Sequence, residues 1–367
     1  MTDTDPCVGQ PKDTLDTPSL LVDLDVLDGN IARMAATCRQ AGVSWRPHSK
    51  GVKTPEIVRR ELAAGAIGVT CAKVGEAEVM AASGVRDILI ANQVVGPQKI
   101  RRLLDLLDRA DVKVAVDCVE HVRALGMAAT ARDLTLGVVI EVNIGMNRAG
   151  VEPGAAVVAL ARAIAAQPGL RFAGVMGWES HVVAIADPTE KAAAVAAAVG
   201  RLTASAQACR DAGLPAAIVS CGGTGSFPYC AQQPGVTEVQ AGGAIFSDVH
   251  YRTHYHFDFP QGLTILMTVT SRPTPTRIIT DTGKKAMSSD SAVPEPLGLP
   301  SAKPMKLSAE HGTIELEAPS ETPRVGDKLE VIVGYSDTTV HLHERIYATR
   351  DGRIEAVWPV AARGRIL

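Results

Sequence analysis

Between Thr17 and about Asp248 the chain alternates two textures. Short runs rich in β-branched and other apolar residues end in glycine or polar residues. Each gives way to a longer run rich in Ala, Leu and Arg. The short runs predict strands at 20–23, 43–47, 68–72, 88–92, 112–117, 137–143, 172–177, 218–221 and 237–241. The longer runs predict helices at 28–41, 55–64, 75–83, 97–108, 119–129, 153–166 and 189–212. Asp23-Leu24-Asp25 and Thr54-Pro55 stand where a helix cap and a first-turn proline belong. A strand–helix unit of roughly 20–45 residues, recurring about eight times, predicts a (β/α)8 TIM barrel. A doubly wound open sheet is the rival. The lack of GxGxxG after the first strand weakens its dinucleotide-binding form.

Past Tyr251 the helical periodicity stops. Segments 264–270, 276–280, 313–316, 328–333 and 339–348 alternate as strands between Pro, Gly and Asp turns, and 287–304, rich in Ser, Pro and Lys, reads as an exposed loop. The expected fold is therefore α/β: a barrel domain over 17–255 and a C-terminal, mostly β domain over 256–367, completed by residues 1–16.

Composition narrows the partners. With 46% hydrophobic and 21% charged residues the chain can bury a sizeable core. A net charge of -3 and 4% aromatics give no footing for nucleic acid or an anionic membrane. No apolar run is long enough to span a bilayer, and the acidic, polar N-terminus does not read as a signal peptide. The seven cysteines are scattered, odd in number and never spaced as CxxC, which suits reduced thiols in a cytoplasm rather than disulfides or a structural zinc site.

The candidate chemistry lies at strand ends. Trp45-Arg46-Pro47-His48-Ser49-Lys50 puts Lys50 where the first βα-loop of a barrel begins, a place for a Schiff-base lysine or for a plain surface lysine. Cys221-Gly222-Gly223-Thr224-Gly225-Ser226 and Gln240-Ala241-Gly242-Gly243 end two successive late strands, as a phosphate cradle does; tight turns are the other reading. Arg148, past a mid-barrel strand, suits either a contact to a bound ring or a surface ion pair. His181, in Trp178-Glu179-Ser180-His181, is a proton carrier or a loop histidine without a role. His341 and His343 alternate, so on a strand they share one face, as metal ligands or as solvent-facing side chains.

Six motifs carry a resemblance over about Thr17 to Gly364: Arg46-Pro47-His48-Ser49-Lys50, Cys221-Gly222-Gly223-Thr224-Gly225, Gln240-Ala241-Gly242 with Asp248, Asp281-Thr282-Gly283-Lys284-Lys285, Glu310-His311-Gly312 and Val357-Trp358-Pro359-Val360. In this order they resemble the D-threonine aldolases, the 3-hydroxy-D-aspartate aldolases and, more loosely, the eukaryotic-type D-serine dehydratases. The resemblance implies a fold-type III pyridoxal 5'-phosphate enzyme with an alanine-racemase-like barrel. It implies that Lys50 binds the cofactor covalently and that Lys53 is an auxiliary charge. Arg148 would contact the cofactor, and Gly222, Gly223, Thr224, Gly242 and Gly243 would hold its phosphate.

Two positions depart from the family pattern. A His-x-Asp or His-x-Cys metal pair reads here as Tyr335-Ser336-Asp337, which leaves Asp337 as the one remaining ligand for a divalent cation such as Mn2+ or Mg2+. The histidine that takes the substrate's hydroxyl proton falls on Ala184, with His181 three residues earlier. The expectation is a cytoplasmic homodimer acting on small D-β-hydroxy amino acids by retro-aldol cleavage to glycine and an aldehyde, with Lys50, His181 and Tyr335 as catalytic groups. A D-serine or D-3-hydroxyaspartate dehydratase, an amino-acid racemase and a non-enzymatic cofactor carrier are the alternatives; the additional β domain speaks against the carrier.

Overall fold

The apolar runs from residue 44 onward are near-continuous because both faces of the strands they form are covered. The computed structural model describes residues 5–299 and 301–367; the first four residues of the acidic N-terminal stretch and Pro300 of the 287–304 segment lie outside it. After Ser19–Asp23 (β1) come β2 Ser44–Trp45, β3 Val69–Cys71, β4 Asp87–Gln93, β5 Asp111–Val116, β6 Leu136–Glu141, β7 Leu170–Met176, β8 Ile218–Cys221 and β9 Glu238–Val239. The last eight pair in parallel in the order β2-β9-β8-β7-β6-β5-β4-β3. The ring closes just past β2, where the Ile67 amide donates to Trp45 O (2.9 Å), the Thr70 amide donates to Pro47 O (2.8 Å) and His48 bridges Thr70. This is the expected barrel, with all carboxyl ends of the strands on one rim. Leu89, Ala115, Val139, Ala173 and Met176, from four neighbouring strands, form one buried cluster.

The chain divides into two compact units, one of Arg33–Lys50, Ile57–Gly242 and Gly364–Leu367 and the other of 5–32, Gly51–Glu56 and Gly243–Arg363. The first holds the barrel strands. In it the guanidinium of Arg46, 2% exposed, reaches Glu238 on β9 (3.0 and 3.1 Å) and Asp87 on β4 (2.6 Å), and Lys113 on β5 joins at Asp87 (2.7 Å). Burial opposes these charges, yet Arg46 and Lys113 hold the Asp87 carboxyl below its usual range.

The second unit is a sheet in the order β13-β14-β11-β10-β1-β16-β17, where β10 is Leu263–Thr274, β11 Arg277–Thr280, β13 Lys306–Leu307, β14 Gly312–Glu315, β16 Arg345–Arg350 and β17 Arg353–Pro359. Two strands branch from it: β15, Lys328–Ile332, pairs with β10, and β12, Glu295–Pro296, pairs with β15. Three expectations change here. The strand at 20–23 exists, but it pairs with β10 and β16 instead of the parallel ring, because an apolar strand reads the same in either sheet. Within 339–348 only the part from Arg345 is a strand; Val340–Leu342 is a 3-10 turn, so His341 and His343 share no strand face, and His343 Nε2 lies 2.6 Å from Ala286 O. The 287–304 segment is not simply exposed, since Met287 and Ser288 are buried and β12 is paired. Among the described residues no helix is long and apolar enough to cross a membrane.

Arg46→Ala leaves Glu238 uncompensated in the barrel and is expected to cost about 3–5 kcal/mol, the loss typical of a broken buried ion pair. Urea unfolding measures it, and a loss below about 1 kcal/mol, the range of an exposed pair, contradicts the assignment. A second expectation concerns Glu61, whose two carboxyl oxygens are buried without a hydrogen-bond partner among the described residues, so that burial pushes its carboxyl well above the usual range. The folded chain keeps this proton while the unfolded chain ionises above about pH 4.5, so stability falls by about 1.4 kcal/mol per pH unit until the folded group also ionises. Glu61→Gln removes that slope and stabilises the protein at pH 8 relative to pH 5; a variant with the parent's pH slope would show the reasoning to be wrong.

Candidate active site

Lys50 is placed by what anchors the residues before it. The buried Trp45 indole donates to Ala241 O (2.8 Å), Arg46 is tied by its ion pairs, and the His48 amide donates to Gln240 O (3.0 Å). Ser49, fully buried, donates its hydroxyl to Glu76 Oε1 (2.7 Å), whose other oxygen accepts the Ala72 amide (2.7 Å). The chain then makes a 3-10 turn over Ser49–Gly51, with the Lys50 amide donating to His48 Nδ1 (3.3 Å). Lys50 thus stands at the rim expected for it.

Trp178, just past β7, gathers the other parts. The Lys50 ammonium lies 5.5 Å from its ring centroid, and the Arg148 guanidinium lies 5.3 Å from it. Both distances are within cation–π range. Glu141, the carboxylate of the rival ion-pair reading of Arg148, is 3.8 Å away, at the limit of a salt bridge. Against the same indole stands Gly223: a β-carbon there would come 2.8 Å from Trp178 Nε1, an atom that is buried and has no hydrogen-bond partner among the described residues.

The glycine-rich loop is shaped from below by Glu179, which is fully buried. Its carboxylate accepts the Ser226 hydroxyl in a short hydrogen bond and the Gly222 amide at 3.3 Å. Gly222 has φ +81°, in the left-handed region where glycine is at home. Its amide is engaged by Glu179, so its part in the loop is conformational. Thr224 is buried within the loop. Gly242 lets two backbones touch, since a β-carbon there would lie 2.2 Å from His48 O. A loop of this kind, beside a lysine and an arginine, fits a phosphate-bearing aromatic aldehyde.

His181 packs on another rim loop. Its ring abuts Gly145, where a β-carbon would be 2.5 Å from Nε2. That loop is pinned by Asn143 Oδ1, which accepts the Gly145 (3.2 Å) and Asn147 (3.1 Å) amides, and it leads into Arg148. The barrel unit therefore brings Lys50, Arg148, Gly223 and Trp178 together and sets His181 on the loop before Arg148. Trp178 and Glu179 are the residues a reading of the chain passes over. Their one signal is position, two bulky residues directly after an apolar strand.

In the other unit Gly243 packs under Tyr251, whose hydroxyl a β-carbon there would meet at 2.1 Å, and Lys53 has a left-handed backbone with φ 55°. Asp248, buried, accepts the Ser336 amide and hydroxyl and the Tyr251 amide, each at 2.8 Å; burial nevertheless pushes its carboxyl up to about 7. Asp337 accepts the Tyr335 hydroxyl at Oδ2 (3.1 Å) and the Tyr251 hydroxyl at Oδ1 (3.4 Å). Burial, with the Asp337 charge adding to it, pushes the Tyr335 phenol far above its ordinary range. A divalent cation wants two or three N, O or S ligands. Among the described residues, groups of three such ligand atoms occur at Asp117, Cys118 and His121 and at Glu179, Cys221 and Cys230, but none includes Asp337. The donor set at Asp337 does not fit a bound metal.

The alanine racemase, N-terminal domain family matches residues 22–249, and a serine dehydratase domain model matches 262–349. The chain is 36% identical over 361 residues to a D-threonine aldolase from Arthrobacter sp, covering 97% of this chain and 95% of that one. It is 34% identical over 367 residues to a 3-hydroxy-D-aspartate aldolase from Paracoccus denitrificans (strain Pd 1222), covering 97% and 94%. The crystal structure of D-threonine aldolase from Filomicrobium marinum matches with a TM-score of 0.95 at 36% identity, over 98% of this chain and 99% of that one. The closed parallel barrel, the rim lysine and these near-full-length likenesses agree: the chain belongs to the alanine racemase N-terminal domain family, alongside its D-threonine and 3-hydroxy-D-aspartate aldolases.

Proposed function

We propose that this protein is a pyridoxal-phosphate-dependent aldolase that splits D-β-hydroxy amino acids into glycine and an aldehyde. The observation that carries this is the placement of Lys50 over Trp178, with Arg148 on the same ring and Gly223 of the glycine-rich loop against its edge. Lys50 would hold the cofactor through its side-chain amine. Gly223, Thr224 and Gly242 would serve its phosphate, on a loop that Gly222 bends, and Arg148 would serve its ring. When bound, the cofactor supplies a sink for the electron pair left at Cα as the Cα–Cβ bond breaks.

The chain's own residues do the rest. Ser49, Glu76 and Arg46 keep Lys50 from drifting, and positioning of this kind accounts for much of an enzyme's rate. Trp178 walls the lysine and arginine from water on one side. His181 takes the β-hydroxyl proton, so that the oxygen closes to a carbonyl as the carbon–carbon bond opens, whereas the Tyr335 phenol gives its own proton to Asp337 and stays neutral, unable to serve as that base. None of the seven cysteines is in a disulfide among the described residues, which supports a reducing compartment such as the cytoplasm, and a homodimer is the assembly we favour.

Elimination of water from the same substrates is the second reading, favoured by the serine dehydratase match over 262–349. It releases a keto acid in place of glycine. Leaving of the hydroxyl as water ordinarily needs a Lewis acid, and the residues at Asp337 do not supply a metal site.

Purified protein incubated with D-threonine, D-serine and D-3-hydroxyaspartate is expected to release glycine and an aldehyde; keto acid without glycine establishes elimination instead. Lys50→Ala is expected to lose both the yellow chromophore and turnover, and borohydride should tag the parent on the peptide that holds Lys50. A tag on another lysine refutes the assignment. His181→Ala is expected to lower kcat by about 10²–10⁴-fold with the chromophore intact, as loss of a general base does. An unchanged kcat refutes His181 as that base.

A further inference from the structure

We propose that this enzyme works without a bound divalent cation, because two tyrosine hydroxyls hold the carboxylate that remains of the family's metal pair. The proposal rests on the aldolase reading for its meaning but not for its measurement. Three observations support it.

Both oxygens of the carboxylate accept hydrogen bonds from phenols. Tyr335 Oη donates to Asp337 Oδ2 at 3.1 Å and Tyr251 Oη to Oδ1 at 3.4 Å, so each oxygen already accepts a hydrogen bond. A cation coordinating either oxygen at about 2.0–2.6 Å competes with a phenol for it.

The arrangement is also built rather than incidental. Ser336, between Tyr335 and Asp337, gives both its amide and its hydroxyl to the buried Asp248 carboxylate, and the same carboxylate accepts the Tyr251 amide at the start of the helix Val249–His254. One buried group thereby sets the backbone of both phenols and of Asp337. Packing adds to this: the Tyr335 ring lies 4.7 Å from that of His250 and 5.7 Å from that of Tyr251, and Gly51 leaves its side-chain space to Asp337 Oδ1, which a β-carbon would approach to 2.2 Å.

Finally, the replacement is of the kind that removes a ligand. Where the family pattern has a ring nitrogen with a lone pair, this chain has a hydroxyl whose proton points at the carboxylate. Among the described residues no other His, Cys or carboxylate completes a group of three ligand atoms with Asp337. Tyr335 is thus a positioning residue for Asp337, doing with a hydrogen bond what a cation does by charge.

The test uses the holoenzyme. Elemental analysis after exhaustive dialysis is expected to find no stoichiometric Mn, Mg or Zn, and calorimetric titration with Mn2+ no saturable site. EDTA should change aldolase turnover by less than about twofold, under half a kcal/mol. Tyr335→His, which returns a ring nitrogen two residues before Asp337, is expected to gain a saturable site for about one Mn2+ per chain, and that site should vanish in Tyr335→His with Asp337→Ala. A parent protein that holds a stoichiometric cation lost in Asp337→Ala overturns the proposal, as does inactivation by EDTA that Mn2+ reverses. Failure of folded Tyr335→His to bind Mn2+ overturns the role given to the phenol. The metal measurements stand even if no aldolase substrate is found, so failure of the functional reading is told apart from failure of this one.

Discussion

A guanidinium sealed inside the barrel, facing Glu238 and Asp87, is the interaction on which the placement of the chemistry depends. Arg46 lies four residues before Lys50, and its fork joins β2 to its neighbour β9 and also to β4, with which β2 does not pair. β2 itself is only two residues long, too short for its ladder to fix the residues beyond it. The ion pairs, with the Trp45 indole on Ala241 O and the Ser49 hydroxyl on Glu76, hold the strand's continuation in one register. A charge removed from water to this degree persists only when its partners are all present, so the cluster specifies where the lysine goes as much as it stabilises the ring.

The glycine loop follows a similar logic from the opposite direction. Its backbone is bent by Gly222 and locked by a buried carboxylate, with Ser226 as the second donor to that carboxylate. Glu179 and Trp178 are adjacent in the chain, so one strand end shapes the loop from beneath and lines it from the side. Substituting either residue disturbs two functions at once. Fold and chemistry are hard to separate here, because the parts that hold the site also face it.

Much of this was legible from the chain because barrels advertise themselves. Apolar runs such as Leu136–Glu141 are buried at every position, and a helix such as Pro97–Asp105 buries one stripe of Ile100, Leu103 and Leu104. The rim lysine and the two glycine clusters stand out because glycine and proline punctuate strand ends. Less legible is anything decided by partners far along the chain. Ser19–Asp23 has the pattern of a barrel strand, and nothing local says that its neighbours are β10 and β16. The alternation over His341 and His343 has the period of a strand but arises from a 3-10 turn. The role of Arg46 needs three strands assembled before it can be seen. The Tyr335–Asp337 contact could be read as a departure from a pattern, but the second phenol, Tyr251, comes from a helix that carries no such mark.

The pairing of β1 has a consequence for how the molecule is made. Val22 meets Leu263 on one side and Ala348 on the other, so a strand made before the barrel finds its neighbours only after the barrel has been made. The barrel segments in between, β2 apart, emerge with a partner close at hand, whereas this apolar strand carries both bare edges until its partners are made. Segments in that condition invite wrong pairing. The helix that follows it, Leu24–Ala41, begins under an Asp23 cap, with the Asp25 and Val26 amides donating to Asp23 Oδ1, and so can form early and keep the waiting strand tethered to an ordered neighbour.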